Sequence, residues 1–260
     1  MTQNESRVET SLEDNILTIE FNQKDKMNTL NLSALKDLKK AIVGASHSKD
    51  VHGIVFTGSG SFFVSGFDVS ELVHMDKKDA KAYSMLGQEV LCLLESMQEP
   101  VIAAVNGFAL GAGCELAMAC DFIFASEKSK FGQTEINFGV IPGFGATSRL
   151  TKRVGLTKAK DLILTGRIID CNEALRMGLI NQIFGDDELM DKTIEFCENL
   201  IRKPKTAIAL AKDAIIRGCE MDIPSANQHE SEYFSWCFET EDQKEGMQAF
   251  LDKRVAEFKR

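Results

Sequence analysis

The stretch Ile102–Asp121, IAAVNGFALGAGCELAMACD, decides the reading of this chain. An apolar run, Val101 to Val105, meets a glycine-punctuated turn, and the chain then enters a helix of small residues with a carboxylate, Glu115, at its start. Glycine lets backbone come close to a ligand. The first turn of a helix carries N–H groups with no intrahelical acceptor, and the dipole adds positive potential there. An anion, or a carbonyl oxygen gaining negative charge, suits such a turn. A carboxylate beside it reads as a proton-transfer group next to an oxyanion site.

Outward from this stretch, apolar periodicity sets the fold class. Ile16 to Phe21 alternates as a half-buried strand, and Leu32, Leu35, Leu38 and Ile42 follow at helical spacing. Ile54 to Phe56 reads as a short buried strand, Ala80 to Met97 as a helix ended by Pro100, 101–105 as a strand, and Phe122 to Ala125 as another. Strands and helices in alternation predict an α/β fold with mainly parallel pairing. After about residue 155 strand signals fade and helical segments are expected at 157–165, 171–177, 186–202, 204–218 and 241–258. Helices that follow a completed sheet suit a lid or an oligomer contact.

Bulk properties narrow the function. The 260 residues are 44% hydrophobic, enough for one large domain or a domain with an appendage. A net charge of −9 argues against nucleic acid or an anionic membrane as the main partner. The acidic opening MTQNESRVETSLEDN does not read as a signal or transit peptide, and no run is long enough to span a bilayer. Cysteines at 92, 114, 120, 171, 197, 219 and 237 form no C-x-x-C pair, which suggests reduced thiols and a cytoplasmic protein. Cys114 reads as a small packing residue. His47, His52, His74 and His229 are too scattered for a metal site, so none is expected.

Four segments could carry chemistry: Gly111–Glu115, Phe131–Glu135 with a second carboxylate, Phe62–Asp68, and Ile141–Gly145 ahead of a helical Arg149. Singly each has an ordinary explanation. Glu115 could merely complement the helix dipole, worth about 0.3–1 kcal/mol. Glu135 could be a solvated loop residue, and Asp68 reads first as a helix N-cap.

Their combination is specific. The run AAVNGFALGAGCELAMACDFIFASEKSKFGQTEINFGVIPGFGATSRL, with SFFVSGFDVSEL, KMNTLN and the late EDQKEGMQAFLDKR, resembles the enoyl-CoA hydratase (crotonase) family over about residues 10–258. The resemblance implies an α/β, crotonase-like (ClpP/crotonase) spiral of β-β-α units over 1–200. It further implies a C-terminal helical region, 201–260, that packs against neighbouring subunits in a homotrimer or a homohexamer. The implied substrate is an acyl-CoA thioester, with no further cofactor and no metal. The amides of Phe67 and Ala112 would hold the thioester oxygen, and Gly143 would order the site through its backbone. Lys26, Met27, Ser65, Gly66 and Asp68 would cup CoA, while Lys244 or Lys253 could meet its phosphates or simply be solvated helix charge. The pair Glu115 and Glu135 implies reversible addition of water to a 2-trans-enoyl-CoA, with Glu115 mainly on the water and Glu135 mainly on the α-carbon proton. Isomerisation of a 3-enoyl-CoA, which can run on one glutamate, and non-catalytic acyl-CoA binding are the alternatives.

Three positions depart from the family pattern. Ala112 stands where many hydratases carry glycine, which leaves its main-chain N–H in place. Lys24 lies where a proline is common, which touches the adenine contacts. Phe67 replaces a small alanine, and its ring either narrows the acyl pocket or turns away from it.

Overall fold

The computed structural model describes residues 7–23, 25 and 27–259. Its larger sheet is built from β1 (Val8–Glu13), β2 (Ile16–Phe21), β3 (Gly53–Gly58), β5 (Val101–Val105), β7 (Phe122–Ser126) and β10 (Gln182–Phe184), adjacent in that order. A smaller sheet orders β4 (Phe62–Val64), β6 (Phe108–Leu110), β8 (Lys130–Gly132) and β9 (Ile168–Asp170). Apart from the β1–β2 hairpin and the β8–β9 pair, every pairing is parallel. Each turn of chain places a long strand in one sheet and a three-residue strand in the other. β3 is followed by β4, β5 by β6 and β7 by β8.

Strand alternation explains why the large sheet is covered on both faces. Side chains of successive strand residues point to opposite sides. Ile54, Phe56, Ala103 and Val105 join the main core with α1 (Leu32–His47), α3 (Lys77–Glu95) and α4 (Ala112–Ala119). Val55, Ile102, Ala104 and Phe124 face the other way, onto Leu189 and Cys197 of α8 (Leu189–Ile201). A sheet buried on both faces favours the continuous apolar runs seen in β3 and β5.

The helices expected after residue 155 are present as α6 (Leu156–Thr165), α7 (Cys171–Met177), α8, α9 (Lys205–Gly218) and α11 (Glu241–Asp252). The last stops well before 258, because Lys253 turns left-handed at φ +57° and caps it. Strands do not cease after 155, since β9 and β10 extend the two sheets there. Both have only three residues, too few to display a period. α10 (Ile223–Cys237) was not among the expected helices; it is capped by Asp222 and carries a proline in its first turn.

α9 is tied to the core by charge. Lys212 Nζ donates to Asp121 Oδ2 (2.8 Å) and Glu99 O (3.2 Å), and Lys205 Nζ lies 3.0 Å from Glu99 Oε1. Asp121 Oδ2 also accepts from Val101 N at the start of β5 (2.7 Å). Beyond α9, large apolar side chains stay open, with Phe250 83% and Ile223 75% exposed. Among the described residues no helix is long and apolar enough to cross a membrane.

Candidate active site

Glu115 hangs inward from the first turn of α4, and it is fully buried. Gly111 is the N-cap of α4, and its φ of +49° is a left-handed conformation that side chains resist. The helix lies hard against β4, because a Cβ on Gly113 would fall on the Val64 carbonyl oxygen. That close approach carries the first α4 turn up to the exit of β4, where Ser65, Gly66 and Phe67 follow. Ala112 opens α4, so its N–H has no acceptor within the helix.

Phe67 forms an isolated parallel bridge with Leu30, in which Leu30 N donates to Gly66 O (2.9 Å). In that pattern the N–H of Phe67 itself turns away from Leu30. The Phe67 ring packs edge-to-face on Phe144 (4.9 Å between centroids) and on Tyr83 (5.8 Å). A Cβ on Gly143 would sit 3.5 Å from Phe67 Cζ, an ordinary contact, so this loop rests on the same ring.

One oxygen of Glu115 is held by the 143–146 loop. Phe144 N and Ala146 N both donate to Oε1 at 2.8 Å, while Oε2 has no partner. The loop is clamped from α3, where Ser84 Oγ (2.6 Å) and Gln88 Nε2 (3.0 Å) donate to Gly143 O. Behind it Arg149, on α5 (Ala146–Val154), donates to Phe144 O (2.5 Å) and bridges both oxygens of Glu95 at 2.7 Å.

Glu135 opens a short 3-10 turn, Glu135–Phe138, after β8. Its carboxylate leans over the α4 start. A Cβ on Gly111 would lie 2.7 Å from Glu135 Oε1, so glycine there makes room for the acid. Glu135 is buried and neither of its oxygens has a hydrogen-bond partner. Nearby, Gln133 reaches Gly111 O through Nε2 (3.5 Å) and leaves its own Oε1 unpaired.

Both acids titrate far above the ordinary carboxylate range. Desolvation raises Glu115 to about 7, against the pull of the Ala146 and Phe144 amides and the Arg149 charge. Desolvation and then the Glu115 charge raise Glu135 to about 7. The pair is electrostatically linked but unequal, since the Ala146, Phe144 and Gly145 amides favour the ionised form of Glu115, whereas Glu135 has only the pull of its own amide.

The other expected residues divide. Met27, left-handed at φ +54°, accepts from Ser65 N (3.2 Å), so the two form one rim with Gly66 and Phe67. Lys26 and Lys24 lie outside the described residues. Asp68 caps α2 (Val69–Leu72), its Oδ1 accepting from Ser70 N (3.1 Å) and Ser70 Oγ (2.5 Å). Lys244 pairs with Glu241 on exposed α11 (3.0 Å). Cys114 is buried with its thiol pushed up to about 12, so it is not a thiolate. Tyr83, Ser84, Gly87, Gln88 and the Phe144 and Ala146 amides escaped sequence reasoning. Gly87 inside an otherwise good helix was the one signal available, since glycine weakens helix interiors.

The chain can now be set beside known proteins. The sequence profile of the enoyl-CoA hydratase/isomerase family matches residues 11–260. The chain is 42% identical over 247 residues to a crotonyl-CoA hydratase of Syntrophomonas wolfei, covering 95% of each. It is 42% identical over 246 residues to a short-chain-enoyl-CoA hydratase of Clostridium acetobutylicum, covering 94% of each. An enoyl-CoA hydratase structure from Bacillus anthracis superposes with a TM-score of 0.94 at 32% identity, covering 97% of this chain and 99% of that one. The two interleaved sheets are therefore the crotonase fold. With its profile matched from residue 11 onward and relatives aligned over nearly their whole length, this chain belongs to the enoyl-CoA hydratase/isomerase family.

Proposed function

We propose that this protein is an enoyl-CoA hydratase that adds water reversibly across the 2,3 double bond of a 2-trans-enoyl-CoA. The observation that carries the mechanism is the buried pair of unequal carboxylates beside a helix start. The amides of Phe67 and Ala112 take the thioester oxygen as it gains enolate charge, and losing one such donor typically costs about 10²–10³ in rate. Glu115, whose amide partners favour the anion, accepts a proton from water as the oxygen bonds to C3. Glu135, with only its own amide to favour the anion, is the acid that delivers a proton to C2. Water contributes one hydrogen to Glu115, Glu135 contributes one to C2, and a proton returned between the acids resets the site. Two carboxylates poised near neutrality favour this reaction over isomerisation of a 3-enoyl-CoA, which needs only one.

The reaction as proposed uses acyl-CoA as substrate and requires no cofactor or metal. Met27, Ser65 and Gly66 form the rim for the CoA moiety, with Asp68 holding the rim through its cap; Lys26 is assigned to CoA by the resemblance alone. Gly143 serves by presenting Phe144 N to Glu115. The exposed apolar residues of α10 and α11 support assembly of the C-terminal region into a homotrimer or homohexamer.

The direct test is loss of crotonyl-CoA absorbance on adding the protein. Glu115→Gln and Glu135→Gln should each slow that loss by at least about 10²-fold. Undiminished turnover in either variant would remove that carboxylate from the mechanism.

A further inference from the structure

We infer that the Phe67 ring is the stop that limits acyl length, making this a hydratase for short enoyl chains. The inference rests on the hydratase reading above and adds the class of acyl group. The side chain belongs to the very residue whose N–H is assigned to the thioester oxygen. An oxygen hydrogen-bonded there at ~2.9 Å brings the acyl carbons alongside that side chain.

The geometry fixes what the chain meets next. C3 must reach Glu115, whose carboxylate is suspended from Phe144 N and Ala146 N. Carbons past C3 therefore leave the reaction centre beside Phe144. That residue's ring is fully buried and stacked edge-to-face on Phe67 at 4.9 Å, with Tyr83 tilted against it at 5.4 Å. The three rings close the space between the β4 exit, α3 and the 143–145 loop.

This wall is stiff. Tyr83 is anchored by its hydroxyl to the Leu30 carbonyl. Phe144 sits where Gly87 of α3 leaves no side chain, since a Cβ there would overlap the ring. Gly143 is pinned by Ser84 and Gln88. Phe67 is the half-buried member of the trio and, unlike Phe144, donates no amide to Glu115, so its side chain is the one whose removal opens a channel.

The test compares kcat/KM for crotonyl-CoA (C4) and 2-trans-decenoyl-CoA (C10) in the parent, Phe67→Leu and Phe67→Ala. Both substrates use the same main-chain donors, so the C10/C4 ratio cancels any damage to the oxyanion site or to the folded fraction. The parent should favour C4. The ratio should rise stepwise and reach at least about tenfold over the parent in Phe67→Ala, within the range that pocket shape gives to chain discrimination. A ratio within twofold of the parent in both variants overturns the inference, as does a parent that prefers C10. Phe67→Leu keeps the test decisive if the alanine variant fails to fold. No hydration of either substrate by the parent would instead strike the hydratase reading itself.

Discussion

Glu135 illustrates what a buried carboxyl costs its own protein. Its carboxyl is buried without a single hydrogen-bond partner, and burial followed by the Glu115 charge lifts it from the ordinary 4.5 to about 7. Between those values the folded protein holds a proton that the unfolded chain has lost. Its stability is therefore complete below about pH 4.5 and declines as pH rises through 7. A shift of that size corresponds to roughly 3 kcal/mol at pH 8. Glu135→Gln should accordingly stabilise the protein at pH 8 by roughly 1–3 kcal/mol and by much less at pH 5. Urea melts at the two pH values measure this, and an equal effect at both would contradict it. The two acids were legible in the sequence because each follows a glycine turn in a recognisable order. Their partners were not, since the amides on Glu115 arrive 29 and 31 residues later and are brought there by the fold alone.

At the scale of elements, the site depends on how tightly α3, α4 and the 143–146 loop fit together. Gly87 is the sharpest instance, because the Phe144 ring occupies the place of its missing side chain. Gly87→Ala should displace Phe144 and with it one amide on Glu115. Overpacking of this kind typically costs about 1–3 kcal/mol. Misplacing the carboxylate should also lower kcat on crotonyl-CoA by about tenfold or more. Loss of stability with unchanged kcat would show that Phe144 does not govern Glu115. The elements with strong periods, β2, α1, β3, β5 and β7, were evident from the sequence within a few residues. β4, β6, β8, β9 and β10 were not, because three residues cannot show alternation. β1 also escaped: its residues after Val8 are exposed, and VETSLE has little apolar content to betray an edge strand.

At the scale of the whole molecule, the C-terminal helices are attached at one end and open along their apolar sides. Phe250, Leu251 and Val255 are 83%, 71% and 86% exposed, a concentration that a monomer has little reason to keep. Phe250→Glu in combination with Leu251→Lys should shift the protein to smaller particles in light scattering at micromolar concentration. If the parent itself scatters as a monomer, the proposed assembly fails. The residue pattern made 204–218 and 241–258 recognisable as helical, but which faces remain open emerges only from tertiary packing.

The interleaving of two sheets also governs how this chain reaches its folded form. Past the β1–β2 hairpin, most strands pair with one that is not next in sequence, and even the consecutive pair β2–β3 closes across the whole of α1. Ile16 meets Gly53, Ile54 meets Val101, and Phe124 meets Gln182, each across a long intervening segment. Every such closure spends chain entropy before any contact rewards it. The apolar strands β3 and β5 must therefore wait, unpaired, for distant partners to be made. Nascent chains of this topology place their greatest demand on folding helpers while the most apolar strands are still uncovered.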